Sequence, residues 1–66
     1  MGSHLARALT TLNRGERDVL TLIYLAELTH QEVADALGVS YGTVGSRLNR
    51  ARKKIHQAIA KEDNHG

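Results

Sequence analysis

Two groups of residues in this sequence have types that could do chemistry. The first comprises His4, His30, His56 and His65, with the hydroxyls of Ser40 and Ser46. The histidines lack metal-ligand spacing, and none is placed to activate a serine in a recognisable nucleophile motif. The chain has no cysteine, which excludes a thiolate metal site as well. The reading is therefore no enzyme, no metal and no cofactor. The second group is the run from Gly42 to Lys54, GTVGSRLNRARKK, in which small and hydroxyl residues give way to an amide and then to long cations. Those types suit recognition of an anionic polymer rather than the making or breaking of bonds.

With successive residues 100° apart, Val44, Leu48, Ala51 and Ile55 fall in one narrow stripe, which Ile59 extends less tightly. That apolar seam predicts the buried side of a long helix. The opposite face carries Gly42, Ser46, Asn49 and Lys53, flanked by Thr43 and Arg50, and none of these is apolar. A helix that enters a DNA groove needs small residues in its first turn, where it approaches base edges. Arg47 and Arg50 can reach guanine edges or phosphates, and Asn49 can pair with adenine. Arg52, Lys53 and Lys54 come where such a helix leaves the groove, and there cations meet phosphates and give affinity without sequence information. The free amides of the helix N-terminus form a further phosphate site. Tyr41 beside them either packs on the flank of the seam or touches the DNA backbone.

The elements that must hold this helix in place are also helical, because every apolar pattern in the chain has helical rather than alternating period. A first short helix fits residues 5–12, with Leu5, Ala8, Leu9 and Leu12 on one face. Asn13 reads as an N-cap, and Glu16 three residues on completes a box-like start for a helix over 14–26. Thr29-His30-Gln31-Glu32 is a stronger capping box and opens a helix over 30–37. Gly38 stands where a helix ends, since glycine enters the left-handed region without steric cost. Val39 follows as a plug in the turn, and Ser40 caps a last helix over 41–60. A short helix, a tight turn and a new helix are the outline of a helix-turn-helix. The expected core is Leu9, Val19, Leu20, Ile23, Val33, Leu37, Val44, Leu48 and Ile55. Tyr24 is read as packing at the edge of that core, Ala26 as a marginal member of it, and His30 as a polar surface residue.

At 66 residues the chain is one domain, and a domain this small buries only about 60% of the surface its unfolded chain exposes. It has no room for a deep pocket beside its core. The fold class is all-α: a small four-helix domain containing a helix-turn-helix, winged-helix-like but with no sheet. No apolar run approaches the roughly 20 residues needed to span a bilayer. Residues 1–4 are read as an expression-tag remnant, residues 5–62 as the DNA-binding domain, and residues 63–66 as a disordered tail. Net charge is only +2, but residues 1–35 hold three arginines against five acids, while residues 36–66 hold six basic residues against two. No acid lies between Asp35 and Glu62. Acids are thus missing at the helical spacings that would pair the cations internally, and one half of the domain is left to face an anionic partner.

Against this reading, a family resemblance is plain. The segments Arg14-Gly-Glu-Arg-Asp-Val-Leu20, Leu28-Thr-His-Gln-Glu-Val-Ala34, Leu37-Gly-Val-Ser40 and Gly42-Thr-Val-Gly-Ser-Arg-Leu-Asn-Arg-Ala-Arg52 resemble region 4 of bacterial RNA polymerase sigma factors, and the extracytoplasmic-function group most closely. The resemblance covers about residues 5–60, and GTVGSRLNRAR is its most specific part. It implies recognition of the promoter −35 element in double-stranded DNA and contact with the β flap of the RNA polymerase core, with an anti-sigma factor as a further partner. It implies a cytoplasmic, nucleoid-associated protein of bacteria, with no membrane and no small-molecule substrate. By matched position, Gly42, Thr43, Ser46, Arg47, Asn49 and Arg50 would line the DNA face. Arg47 lies near the edge of the seam, where it either braces the helix or reaches a phosphate.

Two positions depart from the family pattern. Gly45 stands where lysine or arginine is usual, which removes one cation and costs about 1 kcal/mol of helix stability relative to alanine. Asn13 replaces a frequent proline, a change that a cap tolerates. No part of the sequence resembles the region that binds the −10 element, so the chain is expected to be a fragment of a longer sigma factor. Two other readings compete: the effector domain of a LuxR-type response regulator, and a helical protein-binding module. The first shares the four-helix outline, but typically follows its Thr-Val with Lys-x-His where this chain has Gly-Ser-Arg-Leu.

Overall fold

The computed structural model describes residues 3–63, with side chains for residues 6–60. Among them the chain forms four helices and no strand: α1 (Ser3–Leu9), α2 (Arg14–Tyr24), α3 (His30–Leu37) and α4 (Tyr41–Asp63). The all-α expectation holds; α1 begins at Ser3, two residues before expected and inside the segment read as a tag remnant, while the starts of α2, α3 and α4 follow from the residues in front of them. Asn13 Oδ1 accepts the Glu16 amide at 2.9 Å, and Glu16 Oε1 accepts the Asn13 amide at 3.0 Å. Thr29 and Glu32 make the same reciprocal pair at 3.1 and 2.8 Å. At α4, Ser40 Oγ accepts the Thr43 amide at 3.1 Å and lies 2.8 Å from the Thr43 hydroxyl. Each cap satisfies amides that the first turn of a helix leaves without partners.

The helix ends differ from expectation in three places. α1 stops at Leu9 rather than residue 12, because the Thr10 and Thr11 hydroxyls donate to the Arg7 and Ala8 carbonyls at 2.6 Å and the backbone tightens to three-residue bonds. α2 stops at Tyr24 rather than residue 26. The Leu25 and Ala26 amides both turn to the Thr21 carbonyl, and the Leu28 amide reaches Leu22 at 3.0 Å across Glu27, whose φ is 58°. That left-handed angle costs a residue with a side chain about 1–2 kcal/mol. α4 runs on through Asp63, the residue where a disordered tail was expected to begin. Residues 64–66, and the first two residues of the segment read as a tag remnant, lie outside the described residues, as does the side chain of Leu5.

The turn between α3 and α4 is built as the sequence predicts. Gly38 takes φ 68° and ψ 36°, and its amide and that of Val39 both donate to Ala34. Val39 is half-buried against the core, which fills the angle between the two helices.

α4 packs against each of the other three helices, and α2 also meets α3. The central cluster is Val19, Val33, Ala34, Val44 and Leu48, with Leu20, Leu22, Ile23, Leu28, Leu37 and Val39 partly buried around it. Ala8, Leu12 and Ala51 are buried outside that cluster. The core therefore differs from the expected one. Val19, Val33, Val44 and Leu48 are enclosed as expected, but Leu9, Leu20, Ile23, Leu37 and Ile55 are only half-buried, while Ala8, Ala34 and Ala51 are fully enclosed. Alanines at 8, 34 and 51 let the helix backbones approach closely, and a domain of this size has too little depth to cover the larger side chains on every side. Ala26 is exposed.

Candidate nucleic-acid interface

The seam of α4 faces inward: Val44, Leu48 and Ala51 are buried and Ile55 is half-buried. Gly42, Ser46, Asn49, Arg50 and Lys53 are all exposed on the other side, and so is Tyr41. Gly42, Ser46, Asn49, Arg50 and Lys53 therefore share one helix face, presented by the helix-turn-helix, with Tyr41 to its side. Thr43 is half-buried, with its hydroxyl held in the Ser40 cap. Tyr41 tilts its ring against His30 with centroids 5.9 Å apart, so it packs on α3 while keeping 57% of its surface exposed.

Lys54 does not join that face. Its ammonium lies 2.8 Å from Glu16 Oε1, an ion pair between residues 38 apart in sequence. Glu16 is 1% exposed and Lys54 40% exposed. The cation read as a phosphate ligand is thus turned toward α2, because a carboxylate that leaves water needs a charged partner. The Lys54 hydrogen bond holds the Glu16 carboxyl below its ordinary 4.5, helped by the Asn13 amide and by the charges of Lys54 and Arg50, while burial opposes them.

Arg47 also leans toward α2. A Cβ built at Gly15 would stand 3.2 Å from Arg47 Nε, so the side chain rests against the first turn of α2. The contact is of the bracing kind, and Arg47 stays half-exposed, so it does not exclude the other role read for it, a phosphate contact. At Gly45, by contrast, a Cβ would meet nothing within 4 Å.

On another side of the domain, Leu9, Leu20, Thr21, Tyr24, Leu25 and Ile55 line an almost wholly apolar groove of about 260 Å³. It lies between α1, α2 and α4, each of which contributes to its lining. Tyr24 is 55% and Leu25 79% exposed there, so Tyr24 stands at the rim of the fold. The sequence reading missed this groove, and its one visible signal was Leu25, an apolar residue outside the buried stripe of α2.

Helices paired through a tight glycine turn, with the second presenting a polar and cationic face, define a helix-turn-helix DNA-binding domain. The chain belongs to the Sigma-70, region 4 family, whose match covers residues 3–55. Over 61 residues it is 34% identical to the ECF RNA polymerase sigma factor SigE of Mycolicibacterium smegmatis (strain ATCC 700084 / mc(2)155). The match takes in 92% of this chain and 24% of that relative, so the chain spans about a quarter of the relative's length. No solved structure gives a significant match. The family is a non-enzymatic, DNA-binding module of bacterial transcription initiation, and membership in it removes the LuxR-type alternative.

Two outcomes follow from this geometry. Because the Glu16 carboxyl is held below 4.5 in the folded state, its stabilising effect is complete above that value and is lost as pH falls toward the folded one. Glu16→Gln keeps an acceptor but has no charge to lose, so its melting temperature should fall less steeply than that of the parent as pH falls below about 5. Thermal melts across that range check this, and parallel curves would remove Glu16 from the acid response. Gly45→Lys, with open space for its side chain, should gain up to about 1 kcal/mol of stability from helix propensity. It should also bind DNA more tightly at low salt, an advantage that fades as salt rises. A titration at several salt concentrations showing no gain at the lowest would mean that the bare glycine is needed for close approach.

Proposed function

We propose that this domain reads the −35 element of bacterial promoters with the outer face of α4, as the promoter-reading part of an alternative sigma factor. The observation that carries the reading is the single exposed face of Gly42, Ser46, Asn49, Arg50 and Lys53 on the second helix of a helix-turn-helix. No acid lies between Asp35 and Glu62 to neutralise it. Asn49 and Arg50 are the base readers, Lys53 contacts phosphate, and Tyr41, Thr43 and Arg47 flank the groove. Lys54 supports the face from behind through Glu16. The module acts in the bacterial cytoplasm at the nucleoid.

Selection of bound duplexes from a random DNA library tests this directly, because a −35 reader returns one enriched sequence. On that duplex Arg50→Ala should weaken binding by about 1–3 kcal/mol and relax the preference at one position. Lys53→Ala should weaken all duplexes alike and shallow the salt slope by about one unit. Equal losses for Arg50→Ala on selected and random DNA would reassign it to the backbone.

The same proposal includes contact with the polymerase core, and the apolar groove lined by Leu9, Leu20, Tyr24, Leu25 and Ile55 is the surface we assign to the β flap. An anti-sigma factor would compete for that surface. Leu25→Glu charges the groove at its most exposed apolar residue. It should abolish capture by a purified β flap while leaving DNA affinity unchanged, and retained capture would place the contact elsewhere.

A further inference from the structure

Gly15 lies in the first turn of α2, where nothing in the backbone calls for glycine. Among the described glycines only Gly38 has a positive φ, and a helical glycine costs about 1 kcal/mol relative to alanine. What distinguishes the position is its neighbour. A Cβ at residue 15 would stand 3.2 Å from Arg47 Nε, 3.3 Å from Cζ and 3.4 Å from Cδ. The first two distances are tighter than nine in ten real Cβ contacts. The inner edge of the guanidinium therefore rests on bare backbone, in a space that any side chain at residue 15 would occupy.

The guanidinium itself has no hydrogen-bond or ion-pair partner among the described residues. Arginine carries five N–H donors in a rigid planar fork that matches phosphate oxygens. Here that fork is placed by packing and has no protein partner among the described residues, on the same helix as Arg50 and Lys53. A cation already ordered in the free protein loses less freedom when it meets its ligand than a freely moving one.

We propose that Gly15 is a positioning residue: it seats Arg47 on the first turn of α2, so that the guanidinium meets a phosphate at the edge of the duplex read by α4. The inference rests on the DNA-reading role proposed above. It adds a residue on a different helix, with no charge and no side chain, to the determinants of affinity. Gly15→Ala leaves the fold intact, because alanine favours the helix and the atoms it meets belong to a flexible side chain. Its effect falls on where Arg47 stands.

A double-mutant cycle tests this on the duplex recovered by selection and on a random duplex, using fluorescence anisotropy at several salt concentrations. Arg47→Ala should weaken both duplexes about fivefold at low salt and shallow the salt slope by about one unit. Gly15→Ala should reproduce at least half of that loss on a logarithmic scale, and should add nothing in the Arg47→Ala background. In the free protein, the Nε–H resonance of Arg47 should show restricted motion by heteronuclear relaxation and become mobile in Gly15→Ala. Equal losses from Gly15→Ala in both backgrounds would make Gly15 a fold residue and overturn the proposal. Full affinity in Gly15→Ala, or an Nε–H signal unchanged by it, would overturn it too. Absence of salt-dependent DNA binding by the parent protein would instead overturn the reading of α4, a separate result.

Discussion

One carboxylate oxygen does two jobs in this fold. Glu16 Oε1 accepts the Asn13 amide that opens α2 and the Lys54 ammonium that reaches in from α4. Glu16 is nearly inaccessible to solvent, and a buried carboxylate with one partner removed is strongly destabilising. The pair therefore fixes more than a distance. With Lys54 tied to the N-terminus of α2, α4 cannot turn about its axis without stranding that charge. Val44, Leu48 and Ala51 are then committed to the interior, and Gly42, Ser46, Asn49 and Lys53 to the outside. The lysine thus reinforces, from outside the exposed face, an orientation that the apolar seam of α4 already sets.

The rest of the molecule is arranged around α4. Its first half closes the core with α2 and α3 through Val19, Val33, Ala34, Val44 and Leu48. α1 docks on α4, and beside them an apolar groove lined by Leu9, Tyr24, Leu25 and Ile55 stays open, with Tyr24 and Leu25 exposed at it. A single 23-residue helix thus serves as central post and as presented surface. Small residues make this workable in so short a chain, since Ala8, Ala34 and Ala51 let helices meet closely where larger side chains would keep them apart.

What could be read from the sequence was local. Thr29 with Glu32, Ser40 before Tyr41, and Gly38 between them act within a few residues of themselves, so the caps and the turn follow from short strings. The seam of α4 was equally legible, because helical periodicity depends on nothing outside the helix. The partner of Glu16 was not legible, because it lies 38 residues away and Lys54 belongs to a run of like cations in which nothing marks it out. Arg47 resting on Gly15 was hidden for the same reason, although a glycine in a helical turn with no need for a left-handed angle was a signal in plain view. The core list erred on the side of bulk. It favoured Leu9, Ile23 and Ile55, when depth in a small domain goes to whatever lies between closely spaced backbones.

The exposed side of α4 is not uniform from end to end. Gly42 and Ser46 stand at the middle of its outer face in the first turns and Arg50, Arg52 and Lys53 come later, so that face is small and uncharged at one end and cationic at the other. Such a surface has no two-fold symmetry and cannot be laid down backwards on a duplex with equal effect. Paired helix-turn-helix readers answer to palindromes, whereas one graded helix answers to a sequence with a left and a right. On the reading proposed above, a duplex bound by α4 would acquire a direction, and the domain would sit on it one way round.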